Sequence, residues 1–62
     1  MYTLTNGNGW YYGGERKDDE GDNVIDMTTD ESKAHQFDTA KDANDLAVSL
    51  GLDLDGYKAE EV

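Results

Sequence analysis

Almost all of the side chains in this chain that could do chemistry are carboxylates. There is no cysteine, and the single histidine, His35, lies three residues after Ser32. Nucleophilic catalysis by a Ser-His-Asp set would need Ser32 or Ser49 to meet His35 in a pocket. A chain of 62 residues can enclose little substrate. We therefore interpret His35 as a structural or surface residue, and we predict no catalytic residue and no enzyme activity.

Paired acidic residues offer a second kind of chemistry, the binding of a hard cation by oxygen ligands. Residues 53–56, Asp-Leu-Asp-Gly, resemble the centre of a calcium-binding loop, in which alternating acidic residues precede a glycine. The rest of that pattern fails, because its first and twelfth ligand positions fall on Gly51 and Val62. Asp53 and Asp55 are therefore weak metal candidates, and we predict neither a dedicated metal site nor a cofactor.

The net charge is the strongest signal in the composition. Fifteen Asp and Glu against five Lys and Arg give a formal charge of −10 at pH 7. This charge disfavours direct contact with nucleic acid or an anionic membrane, and it favours a basic partner. The carboxylates either keep the surface soluble or line up at phosphate-like spacing and mimic DNA. The candidate contact carboxylates are Asp18, Asp19, Glu20, Asp22, Asp42 and Asp45.

An aromatic triplet, residues 10–12, lies between two pairs of glycines. A phosphate-binding loop would need such glycines to precede a helix, but here they bracket a predicted strand. Stacking of nucleic-acid bases would need a positively charged groove, which this composition disfavours. We predict that Tyr12 lies in the core. An exposed Trp10 or Tyr11 would be a good anchor for a partner protein.

The first part of the chain reads as three strands. Alternating apolar and polar residues predict a strand over 2–5, and Asn-Gly-Asn-Gly over 6–9 predicts a tight turn into a second strand that Gly13 and Gly14 end. Residues 15–23 include no apolar side chain and predict an exposed, mobile loop. A third strand over 24–28 should pair with the second and turn its odd-numbered residues towards the core.

The second part reads as a helix and a last strand. Thr28 and Glu31 have capping-box spacing ahead of one short helical turn. Thr39 marks the start of an amphipathic helix that Gly51 ends, and residues 57–62 can form a strand. The predicted core is Leu4, Trp10 or Tyr11, Tyr12, Ile25, Met27, Phe37, Ala43, Leu46, Ala47, Leu50, Leu52 and Tyr57.

These elements predict an α+β fold. A small, largely antiparallel sheet of three to four strands would follow the order β-β-β-α-β, with the helix packed on one face. Residues 1–62 would form a single small domain of marginal stability. Either a monomer or a homodimer is compatible with such a domain.

The run Gly-Trp-Tyr-Tyr-Gly-Gly over 9–14, the A-x-x-F-x-T connection over 34–39 and the short helix resemble small uncharacterised acidic proteins of phages and prophages of Gram-positive bacteria. The shared residues are turn glycines, core aromatics and a helix cap, so the resemblance implies a fold and a viral origin. No catalytic residue carries over from it. A protein of this origin would lie in the cytoplasm of a bacterial host, and no apolar run suits a membrane span.

We therefore predict a non-enzymatic protein–protein interaction module whose partner is another protein, basic in character. The alternative is a DNA-mimicking inhibitor of a host nucleic-acid-binding or defence protein, of the anti-restriction or anti-CRISPR type. That alternative rests on size and charge, because no motif in the chain identifies such an inhibitor.

Overall fold

The computed structural model describes residues 1–62, and it has the predicted α+β fold. The strands and helix are β1 (Tyr2–Thr5), β2 (Tyr11–Lys17), β3 (Asn23–Thr28), α1 (Ala40–Leu50) and β4 (Lys58–Glu61), with 3₁₀ turns at Glu31–Lys33 and Leu52–Asp55. The four strands form one antiparallel sheet in the order β3-β2-β1-β4, and α1 packs against it. None of the helices has the length and apolar character that a bilayer span requires.

Strand β1 lies inside the sheet, between β2 and β4. Leu4 is fully buried against the helix, because alternate side chains of a strand point to opposite faces and α1 covers that face. Thr3 and Thr5 lie on the other face and are also buried. At the other end of β1 from its pairing with β2, Tyr2 exchanges two backbone hydrogen bonds of 2.8 Å with Phe37. These bonds attach the connection before α1 to the centre of the sheet.

The prediction of a loop over 15–23 is wrong at both ends. Strand β2 continues through Glu15, Arg16 and Lys17, which pair with Ile25, Val24 and Asn23 of β3. Only residues 18–22 turn the chain. The three residues of β2 are exposed, so this outer part of the sheet tolerates charged side chains and is held by backbone pairing. The absence of apolar residues indicates exposure here, and does not exclude a strand.

A β-bulge interrupts the pairing of β2 with β3. The register shifts between Tyr12 and Gly14, where Gly13 is the extra residue. Gly14 has a φ of 111°, a conformation that side chains with a Cβ rarely adopt. Tyr12 lies directly opposite Met27, so the two side chains share a face, and Ile25 and Met27 pack against the core to which Tyr12 belongs. The predicted orientation of β3 is confirmed.

The core lies between the sheet and α1. Its buried members are Leu4, Tyr12, Phe37, Ala43, Ala47 and Leu52, and Ile25, Met27, Leu46, Leu50 and Tyr57 pack against them half-buried. All of these residues were predicted, whereas Tyr2 and Ala59, which also pack against the cluster, and the buried Ala34 were not. The choice of Trp10 or Tyr11 for the core is wrong, because Trp10 is exposed and Tyr11 is half-buried and outside this cluster.

The helix caps agree with the sequence except at the first turn. The hydroxyl of Thr39 accepts a hydrogen bond from the Asp42 N–H at 3.1 Å, and Gly51 ends α1 with a φ of 74°. At the 3₁₀ turn the cap is Asp30, not Thr28. The Asp30 carboxylate accepts from the Ser32 N–H, two residues further on, at 2.9 Å. The predicted capping box would instead have joined Thr28 and Glu31, which are three residues apart.

Candidate functional site

The hairpin tip, residues 6–10, is organised by two side chains. The buried Thr5 hydroxyl donates to the Trp10 carbonyl at 2.8 Å and accepts from the Gly7 N–H at 3.2 Å. The Asn6 side-chain oxygen accepts from the N–H groups of Asn8 at 2.9 Å and of Trp10 at 3.3 Å. Both the N–H and the carbonyl of Trp10 are thus hydrogen-bonded, and these bonds fix the position of its backbone.

Trp10 presents an exposed indole on this fixed backbone. The residue is 44% exposed, whereas its neighbour Tyr11 is half-buried and pairs with both Thr5 and Thr28 within the sheet. Of the two residues predicted as a possible anchor, Trp10 therefore has the more accessible side chain. Tryptophan is among the side chains that contribute most to protein interfaces.

A second exposed apolar residue lies at the same end of the sheet. Leu54 is 87% exposed in the 3₁₀ turn that precedes β4, and β4 begins at Lys58, which pairs with the last residue of β1. Asp53 and Asp55, both exposed, flank Leu54. Sequence reasoning did not select Leu54, because a single leucine between two aspartates has no periodic partner. Its only signal was an apolar residue in an otherwise polar turn.

The acidic turn, residues 18–22, lies at the opposite end of β2 from Trp10. Asp18 is used inside the turn, where its carboxylate accepts from the N–H groups of Glu20 and Asp22, each at 2.9 Å. Asp19, Glu20 and Asp22 remain exposed and form no ion pair. Three of the four predicted carboxylates of this run are therefore free to meet a partner.

The helix carboxylates Asp42 and Asp45 are exposed on α1. Asp45 accepts from Lys41 at 2.7 Å, and this hydrogen bond and charge raise the pKa of Lys41. Asp42, in the first turn, forms no ion pair and stands near the positive end of the helix dipole. The predicted acidic residues thus lie in separate groups, one in the β2–β3 turn and one on α1.

The weak metal candidates Asp53 and Asp55 do not belong to a ligand cluster. No group of three or more His, Cys, Asp or Glu side chains is placed to hold a metal ion. The Asp53 carbonyl accepts from the Gly56 N–H at 3.2 Å, which closes the 3₁₀ turn. Asp55 lies near Tyr57, and the pKa of Tyr57 is raised first by burial and then by this charge.

The histidine and serine considered for nucleophilic catalysis have other partners. The Ser32 hydroxyl donates to Asp30 at 2.6 Å, and this hydrogen bond, with that from the Ser32 N–H, lowers the pKa of Asp30. The His35 ring packs edge-on against Phe37 and Tyr12, with centroids 4.8 Å and 5.8 Å away. The backbone N–H of His35 donates to the Tyr12 carbonyl at 2.9 Å. In this arrangement His35 extends the aromatic part of the core towards the surface.

Comparisons with known proteins add no relative. No protein-family model matches the chain, and searches of curated proteins and of solved structures also found no match. The class that the structure itself defines is a small acidic α+β protein whose exposed apolar residues include Trp10 and Leu54 at one end of its sheet.

Proposed function

We propose that this protein is a non-enzymatic interaction module that binds a basic protein. The observation that carries the proposal is the exposed Trp10, held by hydrogen bonds to its backbone on a chain of net charge −10. An interface of this kind has an apolar anchor for affinity and charges for long-range attraction. The resemblance to small phage and prophage proteins makes the cytoplasm of a bacterial host the proposed setting.

The cost of exposing Trp10 supports a binding role for it. Burying an aromatic side chain of this size removes about 150–250 Å² from water. The fold itself leaves Trp10 outside the core, although Tyr11 and Tyr12 beside it are half-buried and buried. Leu54, 87% exposed at the same end of the sheet, adds a second apolar contact. A partner that covers both side chains would bury apolar surface that folding leaves in water, and this burial would favour binding.

Affinity capture from the lysate of a bacterial host tests the proposal. The tagged protein is expected to retain a basic protein, and Trp10→Ala is expected to reduce that retention at least about tenfold, as for an interface anchor. Val62→Ala is the matched control, because Val62 is similarly exposed, at 50%, but lies at the other end of β4. Equal retention by the native protein and Trp10→Ala would contradict the proposal.

A DNA-mimicking inhibitor is the second candidate function, and the pattern of ion pairs favours it. Only two of the fifteen acidic side chains, Asp26 and Asp45, form ion pairs, so most of the carboxylates are free to face a DNA-binding surface. Mimicry predicts that double-stranded DNA competes with this protein for the captured partner. It also predicts that moderate salt releases the partner. Retention that survives high salt and is lost in Trp10→Ala favours the interaction module instead.

A further inference from the structure

The outer edge of β3 has backbone groups without a partner. No strand lies beyond β3 in the sheet. The Asp18 N–H donates to the Asp22 carbonyl at 2.9 Å, and hydrogen-bonded pairs alternate along an antiparallel ladder. Asn23 and Ile25 therefore direct their N–H and carbonyl groups away from β2. None of the hydrogen bonds of the turns, loops and side chains reaches those groups.

The other edge of the sheet, at β4, is protected by one side-chain hydrogen bond and by charged side chains. Asn44 of α1 accepts a hydrogen bond from the Ala59 N–H at 3.0 Å, on the side of β4 that faces away from β1. The rest of that strand is Lys58, Glu60 and Glu61, and charged side chains discourage pairing at an edge. β3 has neither proline nor lysine over its six residues, Asn-Val-Ile-Asp-Met-Thr. Its one charge, Asp26, is paired with Arg16 at 2.9 Å.

We propose that the edge of β3 accepts an extended segment of the basic partner as a fifth strand, an inference that rests on the proposed function. Charge selects the occupant, because carboxylates stand at both ends of the strand. Asp19, Glu20 and Asp22 precede β3, and Asp30 and Glu31 follow it. The segment that fits would span about 20 Å, the length of six extended residues, with Lys or Arg at both ends.

The side chains of β3 define the middle of that segment. Ile25 and Met27 are half-buried at the margin of the core, and they lie on the face that α1 covers. An added strand would place alternate side chains beside them, so aliphatic residues at alternate positions suit the site. Pairing with a second copy is disfavoured, since antiparallel β3 strands would bring the 18–22 carboxylates of one copy towards Asp30 and Glu31 of the other.

Backbone methylation tests the proposal without altering any side chain. The chain is short enough for chemical synthesis, and an N-methyl group on Ile25 removes an outward donor and blocks the approach of a strand. The probe is a fluorescent peptide, Lys-Lys-Val-Thr-Ile-Thr-Val-Lys-Lys, and binding is followed by anisotropy. N-methylation of Ile25 is expected to raise its Kd at least about tenfold. N-methylation of Glu61, whose N–H also points outward at β4, is the matched control and should change it less than about twofold.

Charge and occupancy are tested with the same protein. The corresponding peptide with Glu in place of each Lys should bind at least about tenfold more weakly. Equal binding by native and N-methyl-Ile25 protein, or no binding of the basic peptide up to about 1 mM, would overturn the proposal. So would a dimer in sedimentation that N-methyl-Ile25 dissociates, because the occupant would then be a second copy. The proposed function fails separately, when no basic protein is captured through Trp10.

Discussion

Two threonines in β1 show how differently the same side chain can act when buried. Thr3 and Thr5 lie on one face of the same strand, and both are buried. The Thr5 hydroxyl has two hydrogen-bond partners, the Trp10 carbonyl and the Gly7 N–H, whereas the Thr3 hydroxyl has none. Removing a hydrogen-bonded hydroxyl leaves its partners without a hydrogen bond, but removing a hydroxyl that has no partner relieves a desolvation penalty.

Replacing each threonine by valine, which keeps its shape, should therefore have opposite effects. We expect Thr5→Val to lower the free energy of unfolding by about 1–2 kcal/mol, since it leaves the hairpin tip without its inner partner. We expect Thr3→Val to leave that free energy unchanged or to raise it by about 1 kcal/mol. Urea unfolding of both variants checks the pair, and a similar loss in both would show that the Thr3 hydroxyl has a partner such as a bound water.

The buried phenol of Tyr12 predicts a loss of stability at alkaline pH. Burial raises the pKa of Tyr12, and the charge of Glu15, whose carboxylate accepts from the phenol at 3.4 Å, raises it further. In the unfolded chain the Tyr12 phenol ionises at about pH 10, so the fold gains stability from the neutral phenol below that pH. This contribution is lost as the pH rises through the higher pKa of the folded state.

Tyr12→Phe keeps the ring and removes the ionisable group. Between about pH 9 and pH 11 the native free energy of unfolding should fall more steeply than that of the variant. Tyr57, whose pKa is also raised, will leave the variant a residual slope. Parallel slopes for the two proteins, measured by urea unfolding at each pH, would contradict a role for Tyr12.

At the scale of elements, local signals in the sequence were sufficient for most of the fold. Strand β1, the turn at Asn6–Gly9, the cap at Thr39 and the end of α1 at Gly51 each depend on neighbours within a few residues. The extension of β2 to Lys17 depends on pairing with β3, and its charged residues have no hydrophobic pattern. The exposure of Trp10 likewise depends on the packing of the whole hairpin, so sequence reasoning left Trp10 and Tyr11 as alternatives.

The first turn of α1 is stabilised by one capping side chain, that of Thr39. Thr39 caps the Asp42 N–H, and Thr39→Ala should lower the free energy of unfolding by about 1 kcal/mol. Thr39→Ser keeps the hydroxyl and should lose less than half of that. As a control, Ser49→Ala, on the exposed side of the same helix, should be neutral or slightly stabilising because alanine favours helix. Thermal or urea unfolding that ranks Thr39→Ser with Thr39→Ala would exclude the cap.

For the whole molecule, the unbalanced charge should make stability depend on salt. Two ion pairs offset few of the fifteen acidic side chains, so the remaining carboxylates repel each other in the compact state. Raising the salt concentration from about 0.02 M to about 0.5 M shortens the screening length severalfold. The Tm should rise by several degrees, since about 1 kcal/mol shifts the Tm of so small a domain by roughly 4–8 °C. A Tm that stays constant would mean that the carboxylates are too far apart to repel.

The pairing of β1 with β4 sets the order in which the fold can be completed. The Val62 N–H donates to the Met1 carbonyl at 3.0 Å, and Tyr2 to Thr5 pair with Glu61 to Lys58. The interior strand is thus made first, but it gains its second neighbour only when the chain has been synthesised to residue 61. Until then β1 has no neighbour on that side, and we expect pairing between residues so distant in sequence to slow folding. Loss of residues 58–61 would leave β1 with the same open edge.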